Sequence, residues 1–234
     1  MFFGSFERRA SLLSLLLSLL LALPLCSGGG ATPLPTLATP CIRTVILDAG
    51  HGGIDSGTVG INGALEKDIN LSVTLLMAEH FRAAGVRVIL TRETDELVLS
   101  EEEKKGTGRK AKDLANRLAV AKDNPDALFV SIHMNAFPVE KYKGLEVYYA
   151  HDATSRLVAE RVMQRVKAEL IPDNTRTAKA TNDNIYLLVN AVTPAVLIEC
   201  GFLSNGSDAA KLSDKDYQKQ LSFCLFCAIM EVEF

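Results

Sequence analysis

The sequence predicts an α/β protein in which helices cover both faces of a mostly parallel sheet. Short runs rich in β-branched residues alternate with longer stretches whose apolar residues have helical spacing. Alternation of this kind builds parallel strands joined by crossover helices. The 234 residues are 48 % hydrophobic and 23 % charged, which supplies enough apolar material for one domain with its own core.

The predicted elements follow one another without an internal repeat or a second domain. Strands are predicted over residues 43–47, 86–90, 127–132 and 145–149, with two more near Tyr186 and Ala195. Helices are predicted over residues 67–84, 109–122, about 154–170 and about 216 to the C-terminus. Residues 93–108 are charged and contain glycine, so we expect a solvated loop there.

The N-terminal residues are typical of an export leader. Arg8 and Arg9 precede an uncharged apolar stretch over residues 11–23, and small residues follow it. This stretch is shorter than the ~20 apolar residues that a membrane-spanning helix needs. We therefore predict a signal peptide or N-terminal membrane anchor over residues 1–29, a linker over residues 30–41 and the folded domain over residues 42–234. The sequence does not distinguish a cleaved leader from a lipidated or a retained one.

The overall charge argues against one class of partner. The formal net charge is −3, and the isoelectric point is near 5.9. Because binding to nucleic acid needs a basic face, we expect no nucleic-acid partner. The sequence does not fix the oligomeric state, and a monomer is our expectation.

Two histidines and one acid are candidate metal ligands. His51 follows the first predicted strand and has glycines on both sides, which keep bulk away from its imidazole. His133 closes another apolar strand, and Glu66 opens the first predicted helix. In sheets of this kind functional groups collect beyond the carboxyl ends of the strands. Two imidazoles, a carboxylate and an open position form the ligand set of a catalytic zinc site.

Each candidate ligand also has a structural interpretation. A histidine in a loop is often only a hydrogen-bonded surface group. The helix dipole favours an acid such as Glu66 in a first helical turn, so its role as a ligand depends on the two histidines. If the group does bind a metal, its mixture of nitrogen and oxygen atoms favours Zn²⁺ over Mg²⁺ or Ca²⁺, which prefer oxygen ligands.

Glu199 and Asn135 are candidates for other roles at the site. Glu199 ends the apolar run over residues 195–198, where a carboxylate is costly to bury unless it serves a metal, handles a proton or forms an ion pair. Asn135 lies just beyond His133, where it either orients amide groups of a substrate or forms a turn. An ion pair with Arg or Lys is the structural alternative for Glu199.

Two of the five cysteines, Cys224 and Cys227, have the Cys-x-x-Cys spacing that also occurs in redox and metal sites. Their neighbours are all apolar, and free cysteine packs as a small hydrophobic residue. We therefore predict that this pair packs in the core.

Four motifs occur in the order in which they occur in a known family. They are Leu47-Asp-Ala-Gly-His-Gly-Gly53, Glu66-Lys-Asp68, Ser131-Ile-His-Met-Asn-Ala136 and Ile198-Glu-Cys-Gly-Phe-Leu-Ser-Asn205. Together they resemble the zinc-dependent N-acetylmuramoyl-L-alanine amidases of bacterial cell walls, from Ile42 to the C-terminus. Residues 105–114 are similar to a run found in the spore-cortex, germination-associated members.

The resemblance implies a fold and a site. The fold is a three-layer α/β/α sandwich around a mostly parallel sheet, in a single catalytic domain. By position, His51, Glu66 and His133 are expected to bind Zn²⁺, and Glu199 is expected to be the catalytic acid. Arg117 falls where relatives place a basic residue, so it is expected to contact the substrate together with Asn135.

The implied activity is zinc-dependent hydrolysis of the amide bond between N-acetylmuramic acid and L-alanine in peptidoglycan, in cell-wall or spore-cortex remodelling. We expect an exported protein that acts in the periplasm, in the cell wall or on the outer face of the membrane. A leader that is kept would contact the membrane. Two alternatives stay open: a zinc peptidase that cuts peptidoglycan stem peptides, and a non-catalytic wall-binding module, which would have no need of the ligands or of Glu199.

Overall fold

The computed structural model describes residues 42–182 and 184–232. The predicted leader over residues 1–29 and linker over residues 30–41 lie outside the described residues. The strands are β1 (Thr44–Ala49), β2 (Arg87–Leu90), β3 (Leu128–Asn135), β4 (Glu146–Tyr149), β5 (Lys179–Ala180) and β6 (Ala195–Phe202). The helices are α1 (Glu66–Ala83), α2 (Glu101–Lys105), α3 (Arg109–Lys122), α4 (Ala153–Glu169), α5 (Tyr186–Val189), α6 (Gly206–Ser213) and α7 (Lys215–Met230).

The six strands form one mixed sheet in the order β2-β1-β3-β6-β4-β5. Strands β2, β1, β3 and β6 are parallel to one another. Strand β4 is antiparallel to β6, and β5 is parallel to β4. Because β4 and β5 run in the opposite direction, they begin at the edge where the four parallel strands end. This edge therefore collects residues from every strand.

Helices cover the sheet on both faces, which confirms the predicted three-layer sandwich. One face packs against α1, α4 and α7 through buried residues such as Val73, Val162 and Leu225. The other face packs against α3 and α5 through Leu118 and Leu188. Side chains alternate between the faces along a strand. Phe129 of β3 and Leu197 of β6 contact the α3–α5 layer, so His133 and Glu199, at the same parity, point to that side.

The predicted strand near Tyr186 is wrong, because this segment forms the short helix α5. Leu187 and Leu188 are both buried, whereas Tyr186 and Val189 are exposed. Burial of two adjacent residues does not fit the alternation of a strand, and packing on the sheet decides the local conformation. The short elements β5 and α6 were not predicted.

The region over residues 93–108 is solvated, as expected, but contains the short helix α2. Ser100 accepts a hydrogen bond from the backbone of Glu103, and the Glu103 side chain accepts one from the backbone of Ser100. This capping box stabilises a helix that buries none of its residues.

Cys224, together with Cys200, is buried in the core as a free thiol, and Cys227 is a partly buried free thiol. This supports the prediction that the Cys-x-x-Cys pair serves packing. Among residues 42–182 and 184–232, we find no helix with the length and apolar character needed to cross a membrane.

Candidate metal centre

The two candidate histidines meet at the end of the parallel strands. His51 lies two residues past β1 and has a positive φ of 62°, which turns the chain sharply there. His133 lies near the end of β3. Gly50 lies between them, and a Cβ atom at that position would overlap the imidazole of His133. The absence of a side chain at Gly50 therefore lets the two rings approach, with centroids 5.0 Å apart.

The carboxylate of Glu66 joins the two imidazoles. Its Oε1 atom lies 3.1 Å from Nε2 of His51 and 3.0 Å from Nδ1 of His133. The three side chains each offer one ligand atom, and these atoms lie within 4.8 Å of one another. The structure therefore brings the three predicted ligands together, in a group that can hold a metal ion.

Backbone groups fix the orientation of the Glu66 carboxylate. The amide of Thr58 donates to Oε2 at 2.8 Å, and the amide of Met134 donates to Oε1 at 3.1 Å. Burial alone would raise the pKa of Glu66, but hydrogen bonds from His133 and His51 outweigh it and hold the pKa far below its usual range. Glu66 is therefore ionised at neutral pH and ready to bind a cation.

Asp55 supports His51 from the other side of the ring. Its Oδ2 atom lies 2.9 Å from Nδ1 of His51 and 3.2 Å from Nζ of Lys110. This contact leaves Nε2 of His51 directed toward Glu66 and His133. A carboxylate behind a histidine ligand fixes the ring orientation and raises the basicity of the ligand. Sequence reasoning missed Asp55, although its position four residues after His51 in a glycine-rich turn was a usable signal.

Arg117 is buried behind His51, so the structure gives no support to its predicted contact with the substrate. Its side chain is 1 % exposed, and its five N–H donors all have partners inside the protein. Those partners are Asp48 Oδ1, Asp113 Oδ1 and Oδ2, and the backbone oxygens of Ala49 and His51. With no donor left for a substrate, Arg117 instead holds the segment that carries His51.

Arg92 supports the same segment and was also missed by sequence reasoning. Its guanidinium is buried and donates to the backbone oxygens of Ala49, Gly50 and Lys67. It therefore ties the end of β1 to the first turn of α1, which carries Glu66. Its place two residues after β2, at the same sheet edge, was the only signal in the sequence.

Glu199 lies beside the three candidate ligands in β6. It is directly opposite His133 in the parallel pair β3–β6 and opposite Glu146 in the antiparallel pair β4–β6. Burial raises the pKa of Glu199 to about 7, and the charges of Glu66 and Glu146 act in the same direction against an opposing effect of His133. Its Oε2 atom is buried and has no hydrogen-bond partner among the described residues. Such a group can take up and release a proton near neutral pH.

Asn135 is partly buried at the end of β3. Its backbone oxygen accepts a hydrogen bond from the amide of Leu203 at 2.8 Å. Asn135 is therefore the last residue of a strand and does not form a turn. A role of its side chain in substrate binding stays a prediction.

Two histidines and one carboxylate at the end of the parallel strands, in an α/β/α sandwich, are typical of metal-dependent hydrolases. Comparison with known proteins then gives the family of this chain. Residues 45–231 match the family model of N-acetylmuramoyl-L-alanine amidases, and the chain belongs to this family. It is therefore a peptidoglycan amidase. Of the activities left open by the sequence, this finding favours the amidase over the zinc peptidase and the non-catalytic wall-binding module.

Individual relatives agree with this assignment. The chain is 36 % identical over 189 residues to the germination-specific N-acetylmuramoyl-L-alanine amidase of Bacillus subtilis, which covers 80 % of this chain and 78 % of the relative. The CwlD amidase of Clostridioides difficile, solved in complex with the GerS lipoprotein, superposes with a TM-score of 0.75 at 39 % identity, over 80 % of this chain and 96 % of that one. AmiC2 of Nostoc punctiforme gives a TM-score of 0.68 at 28 % identity, over 82 % and 96 % of the two chains.

Proposed function

We propose that the chain binds Zn²⁺ through His51, Glu66 and His133 and uses Glu199 to hydrolyse the bond between N-acetylmuramic acid and L-alanine. The observation that carries the zinc proposal is the convergence of two imidazole nitrogens on Oε1 of Glu66, at 3.1 and 3.0 Å. Two nitrogens and one carboxylate oxygen leave a fourth position for water or substrate, as in catalytic zinc sites. The backing of His51 by Asp55 and the ionised state of Glu66 both suit a divalent cation.

When bound, zinc supplies Lewis-acid polarisation of the scissile carbonyl and lowers the pKa of water toward ~7. Glu199 is placed to handle the proton. Its Oε2 atom has no partner among the described residues, and its pKa of about 7 lets it act in either protonation state. We propose that Glu199 takes a proton from the attacking water and delivers it to the departing nitrogen of L-alanine.

Two other residues at this edge have proposed supporting roles. Asn135 lies two residues beyond His133, and we propose that its amide group binds an amide of the substrate. Arg117 is proposed to position His51 through its hydrogen bond to the His51 backbone oxygen at 2.7 Å. Arg117 thus acts through the metal ligand and does not contact substrate.

The family acts outside the cytoplasm. The more specific place of action of this chain is a proposal. We propose that residues 1–29 direct export, and that the domain works in the periplasm, in the wall or on the outer face of the membrane. One relative is named as germination-specific, which supports spore-cortex peptidoglycan as the substrate. The motif over residues 105–114 agrees with this choice.

The test is product analysis on two purified substrates, spore-cortex and vegetative peptidoglycan. The zinc-loaded protein is compared with protein stripped by a chelator and with stripped protein after zinc is restored. Mass spectrometry should find glycan with free lactyl groups together with peptides that begin with L-alanine. Faster release from cortex supports the spore role. Shortened stem peptides, or activity that zinc removal does not change, would contradict the proposal.

A further inference from the structure

A group of three charged side chains lies beside Glu199 and is not used by the metal centre. Glu146 of β4 is opposite Glu199 and is 2 % exposed. Two cations contact its Oε1 atom: Nη1 of Arg176 at 3.3 Å and Nζ of Lys179. We name Glu146, Arg176 and Lys179 the edge cluster, because they belong to the two strands at this end of the sheet and to the loop between α4 and β5.

The edge cluster carries more positive than negative charge. One carboxylate is neutralised by one cation, and the second cation leaves an excess of one positive charge. The Lys179 side chain is 51 % exposed, so this charge is accessible from outside. Lys143, the other nearby cation, is paired with Asp173 at 2.6 Å and does not share the role.

Arg176 is held in a fixed orientation with one nitrogen unused. Its Nε atom donates to the backbone oxygen of Lys143 at 2.9 Å, and its guanidinium stacks on the ring of Phe202 at 4.4 Å. Within the described part of the chain, Nη2 of Arg176 has no hydrogen-bond partner. A guanidinium that is fixed by stacking and by two contacts is preorganised to bind a carboxylate.

The position of Glu199 indicates the direction in which the bound stem peptide extends from the metal centre. His133, Glu199 and Glu146 occupy neighbouring positions across β3, β6 and β4 and point to the same face. If Glu199 delivers the proton to the leaving nitrogen, L-alanine lies over β6. The rest of the stem peptide then continues toward β4 and the edge cluster, on the side away from His133.

The distances fit the second residue of the stem. Neighbouring strands are ~4.8 Å apart, so Glu146 lies about one strand spacing beyond Glu199, and the cations that contact Glu146 lie somewhat farther out. An extended peptide advances ~3.5 Å per residue, which brings the second residue to ~7 Å from the scissile bond. In a stem whose second residue is a glutamate linked through its side chain, the main-chain carboxyl group is left as a carboxylate unless it is converted to a carboxamide.

We propose that Arg176 and Lys179 bind the free carboxylate of the second stem residue, and that Glu146 positions the two cations. This subsite rests on the proposed function, because it uses Glu199 as the proton donor to the leaving nitrogen. It gives the enzyme a preference for stems with a carboxylate over stems in which this group is a carboxamide.

The experiment combines a change in the enzyme with a change in the substrate. Wild type and Lys179→Met are assayed on two soluble muramoyl peptides that differ only in a carboxylate or a carboxamide on the second residue. We expect wild type to favour the carboxylate by about tenfold in kcat/KM, the size expected for one partly exposed charge-assisted contact. Lys179→Met should lose most of this preference, because its kcat/KM should fall more on the carboxylate than on the carboxamide.

Lys219→Met is the matched control, since Lys219 is an exposed lysine of α7 that pairs with Asp216. It should behave as wild type on both substrates. Arg176→Lys keeps the charge but not the planar pair of donors, and should retain only part of the preference. Thermal unfolding of each variant establishes that it is folded.

Two kinds of result would contradict the proposed subsite. Equal rates of wild type on the two substrates, or an equal loss by Lys179→Met on both, would overturn it while leaving the amidase function in place. Failure of wild type to release the lactyl group from either substrate would overturn the proposed function itself, and the subsite with it.

Discussion

Glu199 lies directly opposite His133 in neighbouring parallel strands, and both side chains project from the same face of the sheet. The relative position of the candidate metal ligand His133 and the proposed proton-handling group Glu199 is therefore set by strand register. A shift of one residue would send either side chain to the opposite, buried face, so the core on that face fixes the register. The register shift between His133 and Asn135 comes after the functional pair and leaves it intact.

Glu199→Gln should keep zinc and lose turnover. The amide cannot take up a proton, and loss of a general acid–base group typically costs about 10²- to 10⁴-fold in rate. The measurement is kcat on purified peptidoglycan together with zinc content by mass spectrometry of the metal. His133→Ala is the contrasting variant, which should lose both zinc and activity. Near-normal kcat in Glu199→Gln would refute the role of Glu199.

Asp55→Asn should weaken zinc binding without removing a ligand. The amide keeps the size of the side chain but not the charge that supports Nδ1 of His51, and such changes typically cost about 10- to 100-fold in metal affinity. Competition with a chromogenic chelator measures the dissociation constant. Asp216→Asn, which changes an exposed acid of α7, is the control and should not change the dissociation constant. An unchanged affinity in Asp55→Asn would show that Asp55 does not tune His51.

Arg117→Met should destabilise the metal-free fold. Asp48 and Asp113 would be left buried without their cation, and breaking a buried pair of this kind costs about 3–5 kcal/mol. The free energy of unfolding in urea measures the loss. Arg156→Met changes an exposed arginine in a helical ion pair and should cost less than about 1 kcal/mol. A higher KM with unchanged stability in Arg117→Met would contradict this prediction and would support the substrate contact expected from the sequence.

The pKa of Glu199 predicts how the stability of the metal-free protein depends on pH. Burial raises this pKa from 4.5 to about 7, so between these values the folded state holds a proton that the unfolded state has released. The contribution of Glu199 to the free energy of unfolding is therefore present below pH 4.5 and is lost as the pH rises to about 7, by up to about 3 kcal/mol.

Glu199→Gln has no such loss, because its side chain does not titrate. Urea unfolding of both metal-free proteins between pH 4.5 and 8 should show the variant gaining stability relative to wild type as the pH rises. All other titrating groups are shared, so their contributions largely cancel in the difference. Parallel stability curves for the two proteins would mean that the carboxyl of Glu199 is not desolvated in the folded state.

The sequence predicted the parallel strands and the group of candidate metal ligands, because both depend on local pattern. His51, His133 and Glu199 close apolar runs, and parallel strands bring such ends to one edge. Tyr186 was misassigned, since its run is short and apolar and its conformation is decided by contact with the sheet. The role of Arg117 could not be predicted either, because its burial depends on Asp48 and Asp113 meeting it in three dimensions.

The edge cluster was also beyond sequence reasoning. Glu146 and Lys179 are far apart in the chain, and β5 has only two residues, too few to give a periodic signal. Only the reversed direction of β4 and β5 brings these side chains beside Glu199. Contacts that depend on the order and direction of the strands in the sheet could therefore be seen only in the structure.

The most direct test of the central claim is anomalous diffraction at the zinc edge from crystals of the zinc-loaded protein. The account predicts one strong peak at about 2.0–2.2 Å from Nε2 of His51, Nδ1 of His133 and an oxygen of Glu66. A peak elsewhere, or none at these three atoms in protein that retains activity, would contradict it.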